Sequence, residues 1–79
     1  MASIERIEGI LWVQREMIVE LMALALRHLP SPDDVNILAE EITRRSLFAP
    51  LSQDGHDAAF DEISTIIASL QKHLRAIQR

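Results

Sequence analysis

The sequence predicts an all-α fold. A long first helix, a second that folds back on it as a hairpin and an amphipathic third form one domain over residues 1–79, dimerised through the first helix. Three observations carry that reading. Apolar residues recur at spacings of three and four through three separate segments, the sign of helices with one buried face. Two short stretches, Leu29-Pro30-Ser31-Pro32 and Ser52-Gln53-Asp54-Gly55, interrupt the pattern with residues that favour turns. Hydrophobic residues make up 48% of the 79, with only two Gly and three Pro, which argues against disorder.

The first helix is expected from Ile4 to Leu29. Its end is set by Pro30 and Pro32, which cannot continue the hydrogen-bond ladder. One stripe collects Ile4, Ile7, Leu11, Ile18, Met22, Ala25 and Leu29, and an adjoining one Ile10, Val13, Met17, Leu21 and Leu24. Two neighbouring helices can cover these two stripes. A third flank holds Trp12, Val19 and Leu26 at seven-residue intervals, with Ala23 beside it. A helix apolar nearly all round is normally buried all round, and two neighbours cannot do that. The expected interface is therefore Trp12, Glu16, Val19, Ala23 and Leu26, with a second copy of the chain as the simplest partner, since two-fold dimers are the commonest oligomers. The weaker reading, scattered surface hydrophobics, does not account for their alignment. Gln14 lies between the two core stripes, as a register-setting amide or as an edge residue reaching solvent. Glu16 and Glu20 share a polar strip that can be solvated or accept an arginine from a partner.

The second helix is expected from Pro32 to Leu47. Ser31 is placed as N-cap, Pro32 at the first helical position, and Asp33 and Asp34 stand at the positive end of the dipole. Val35, Leu38, Ala39 and Ile42 form its apolar side, with Ile37 outlying. Phe48 and Leu51 are expected to fold over the open end of the core. The third helix is expected from Asp57 to Gln78, where Phe60, Ile63, Ile67, Leu70, Leu74 and Ile77 make a seam of alternating three and four spacings, widened by Ile66. The expected core is Leu11, Ile18, Leu21, Leu38, Ile42, Phe60, Ile63, Ile67, Leu70 and Leu74.

Composition narrows function mainly by exclusion. With no cysteine, disulfides, thiolate metal sites and cysteine nucleophiles are ruled out, and a reducing, cytoplasmic setting is expected. A chain of this length buries only about 60% of its unfolded surface, so its core needs supplementing by good packing or by association. The formal charge of −4 offers no electrostatic footprint for nucleic acid. Charges at Glu5, Arg6, Glu8, Arg15 and Glu16 break up any signal peptide or membrane span in the first helix. His28, His56 and His73 are scattered over three segments without metal-ligand spacing, and no phosphate-binding or nucleophile-elbow motif occurs. Length and acidity match acyl carrier proteins, but no Asp-Ser-Leu attachment sequence is present. No catalytic residue, cofactor or metal is assigned. The function expected is a non-enzymatic protein-interaction module: an adaptor, a chaperone-like cofactor or an inhibitor of a larger protein, acting as a homodimer without nucleic-acid or membrane partners. The alternative is a DNA-binding regulator, motivated by the Arg44-Arg45 pair and opposed by the net charge.

Overall fold

The computed structural model describes residues 3–77 as three helices, with no strand among them. Helix α1 spans Ile4–Ala25, α2 Pro32–Ser46 and α3 Gln53–Ile77. Each start has a local cause. Ser3 accepts the amide of Arg6 at the head of α1. Ser31 accepts the amide of Asp34, whose carboxylate accepts the amide of Ser31 in return, closing a capping box with Pro32 in the first turn. Ser52 accepts the amide of Gly55 at 3.1 Å and starts α3.

Helices α1 and α3 run parallel, since Gly9 meets Gly55 and, further along both helices, Gln14 meets Glu62. Helix α2 runs antiparallel to both: Arg45 near its end reaches Glu20 in α1, and Gln71 in α3 reaches Asn36 near its start. The closest approach lies between Gly9 and Gly55, both buried, where the missing side chains let the α1 and α3 backbones touch. Around that contact the core assembles from Val13, Met17, Leu38, Ile42, Ala59 and Ile63, with Trp12, Leu21, Leu51, Ile66 and Ile67 packed against it.

Several expectations need correction. Leu11 and Ile18 are 53% and 59% exposed and lie outside the core, because the glycine contact draws α3 onto the Gly9, Val13 and Met17 side of α1 and leaves the opposite face uncovered. Phe60 is 37% exposed at the edge of the face that α3 turns inward, where Ala58, Ala59 and Ile63 are the buried residues. Leu38, Ile42, Ile63 and Leu74 are buried as expected, and Leu21, Ile67 and Leu70 are half-buried. Helix α1 stops at Ala25, with Leu26 as C-cap, rather than at Leu29, since the two prolines that follow force the chain out early. Helix α2 stops one residue before Leu47. Helix α3 starts at Gln53 rather than Asp57, because Ser52 caps it and Gly55, placed in a turn by the sequence, is helical. Leu51 packs on the core, but Phe48 is 83% exposed and does not cover it. The expected last residue of the third helix, Gln78, lies outside the described residues.

Candidate functional site

The outward face of α1 is the most unusual surface on the molecule. Ile4, Ile7, Leu11, Ile18 and Met22 are all exposed on it. At about 100° per residue they fall within one narrow strip, roughly 27 Å long from Ile4 to Met22. Spacings of three, four, seven and four make it a heptad seam, with Gln14 standing where the pattern would place another apolar residue. Leu11, Gln14, Arg15, Ile18 and Val19 surround a shallow hollow of about 300 Å³ in it. The opposite face of the same helix supplies Gly9, Val13 and Met17 to the core. Helix α1 thus has two apolar faces, of which the chain covers one.

The expected interface residues lie together on one flank of the strip and differ in exposure. Val19 and Leu26 are exposed beside the strip, Leu26 at 88%. Trp12 is half-buried and packs against the core, and Ala23 is half-buried as well. Glu16 is half-buried and faces Arg45 of its own chain at 3.5 Å. Sequence reasoning placed Ile4, Ile7, Leu11, Ile18 and Met22 under other helices, and so missed them as a surface. Their signal was the regular heptad spacing itself.

Polar contacts fix the rim. Gln14 donates to the Glu62 carboxylate at 2.8 Å, so one flank of the strip borders α3. The other flank carries Glu8 and Arg15, both exposed and, among the described residues, without an ion-pair partner. Away from the strip, Arg45 ties α2 to α1 through Glu20 at 3.0 Å and Glu16 at 3.5 Å, and holds Glu41 at 3.1 Å. Hydrogen bonds to Glu20 and then Glu41 raise the Arg45 pKa, while those from Arg44 and then Arg45 lower that of Glu41. Asp34 is lowered too, first by the Ser31 amide and further by the Ser31 hydroxyl and the nearby His28.

Chemistry of other kinds has little to build on. Among the described residues no three His, Asp or Glu side chains converge as a metal site would require. A second hollow of about 190 Å³ lies between α1 and α2, with Leu24, Ile37 and Leu38 beside Glu20, Asp34 and Glu41. Two of its carboxylates, Glu20 and Glu41, are engaged by Arg45, and no nucleophile faces them. No helix is long and apolar enough to cross a membrane among the described residues. No family model, curated protein or solved structure matches the chain.

Proposed function

We propose that the chain is a non-enzymatic protein-interaction module that works through the outward face of α1, pairing first with a second copy of itself and acting in that form on a larger protein as adaptor, chaperone-like cofactor or inhibitor. One observation carries the reading: the aligned exposure of Ile4, Ile7, Leu11, Ile18 and Met22 along a single helix face. A contiguous strip of this kind exceeds the scattered apolar residues that every surface shows, and such strips mark protein contacts. The cysteine-free composition fits work in the cytoplasm. Arg44 and Arg45, which motivate the DNA-binding alternative, both face carboxylates at Glu41, Glu16 and Glu20 and leave no basic patch between them.

Sedimentation tests the proposal directly. The wild-type chain should sediment as a dimer at tens of micromolar, and Ile18→Glu should sediment as a folded monomer, because a carboxylate in the strip would have to be desolvated on pairing. A wild-type monomer at that concentration would overturn self-association.

A further inference from the structure

We infer that the α1 strip pairs with the same strip of a second copy in antiparallel orientation, about a two-fold axis crossing α1 between Leu11 and Gln14, with Glu8 of each copy facing Arg15 of the other. This rests on the self-association proposed above and adds its geometry. Two features of the strip select the orientation.

The first is which flank is open. Along a helical seam the two flanks are distinct, and pairing rules follow from direction: parallel helices bring one flank against the opposite flank of the neighbour, whereas antiparallel helices bring like flanks together. On α1 one flank is occupied, since Gln14 is bonded to Glu62 of α3, and Ile10, Met17 and Leu24 on that side are buried or half-buried. The other flank, with Glu8, Arg15 and Val19, is exposed. A parallel pair would drive the open flank of each copy into the α3 helix of the other. An antiparallel pair instead sets open flank against open flank on one side and α3 beside its counterpart on the other.

The second is charge. Glu8 and Arg15 stand seven residues apart on that open flank, opposite in sign, and neither makes an ion pair within the described residues. An axis midway between them places each Glu8 opposite an Arg15 twice over, and brings Ile7 of one copy beside Ile18 of the other. A parallel pair would set both residues against the opposite flank of the partner, so that no Glu8 meets an Arg15. The five large apolar residues of the strip are 44% to 72% exposed and aligned on one helix face, a contiguous patch of the kind that marks an interface.

Charge reversal and cross-linking test the arrangement. Glu8→Arg and Arg15→Glu, made singly, should each weaken dimerisation about ten-fold at low salt, and the two together should restore it, because the rim pairs are exposed and screened by salt. The chain has no native cysteine, so single cysteines report pairing cleanly. Under mild oxidation, Ile7→Cys mixed with Ile18→Cys should cross-link as a mixed dimer, and neither variant alone should do so. Cross-linking of either variant with itself, or dimerisation indifferent to the single reversals, would overturn the antiparallel arrangement while leaving self-association standing. A wild-type chain that sediments as a monomer would instead remove the reading on which it rests.

Discussion

Gly9 decides more about this molecule than any of its large side chains. A Cβ there would run into the carbonyl oxygen of Gly55 and lie 2.8 Å from its carbonyl carbon, both backbone atoms that cannot rotate away. An alanine gains about 1 kcal/mol of helix propensity over glycine, but forcing two backbones apart in a packed core costs about 1–3 kcal/mol or more. Gly9→Ala should therefore destabilise the chain in urea unfolding by a net of about 2 kcal/mol or more, the upper end of the overpacking cost less the propensity gain, because the clash is with backbone atoms. Gly55→Ala should cost clearly less, since its Cβ would meet Glu5 O at 3.0 Å and the Leu51 side chain at 3.2 Å, tight contacts that small shifts relieve. Equal effects at the two positions would show that the helices do not meet at Gly9. An isolated glycine inside a strongly apolar helix was the sequence sign of this contact, because its propensity cost has to be repaid by packing.

At the scale of the element, α2 is the helix whose boundaries are most locally determined. Its capping box joins Ser31 and Asp34 reciprocally, at 3.2 Å and 2.9 Å. Ser31→Ala should cost about 0.5–2 kcal/mol at neutral pH. Asp34 has a pKa lowered in the folded state, so the stability it contributes is present above the ordinary aspartate range and is lost as pH falls through its folded value. Asp34→Asn should accordingly be less stable than wild type near pH 6, with the difference closing as the pH falls below about 4. A difference that stays constant down to pH 2 would show that the box does not depend on the carboxylate. Local signals of this kind explain why α2 was readable from sequence to within a residue, whereas α3 was placed four residues late: Asp54-Gly55 resembles a turn, and the Ser52 cap lacks the acidic partner that marks the box in α2. The α3 seam correctly named Ile63 and Leu74, yet Phe60 lies at its edge, because periodicity defines a face and not how far a neighbour extends over it. For α1 the period could not choose between two apolar faces at all, and Leu11 and Ile18 were assigned to the wrong one. The Arg45 bridge to Glu16 and Glu20 joins residues on different helices and leaves no pattern along the chain.

On the scale of the whole molecule, principal extents of 39 × 23 × 16 Å hold three helices around one shared core. In such a unit each helix has only two neighbours, and α1 turns its Gly9, Val13 and Met17 side to them, so its second apolar face must stay in water or be shared with another molecule. Val13 and Ile18 sit on those two faces, fully buried and 59% exposed, and they separate folding from association. If folding is completed by pairing, unfolding takes two folded chains to two unfolded ones, and the midpoint of thermal unfolding must rise with chain concentration. A ten-fold increase in concentration adds about 1.4 kcal/mol per dimer, which for a unit of this size corresponds to roughly 3–6 °C. Ile18→Glu should unfold cooperatively at a lower midpoint that no longer moves with concentration, since it removes the contact and leaves the core whole. Val13→Glu should fail to fold at any concentration, because the carboxylate would lie in the core without a partner. Calorimetry of the wild-type chain over a hundred-fold concentration range gives the answer: a midpoint that stays fixed within a degree means that α1 keeps its second apolar face in water, and the pairing proposed for it is wrong.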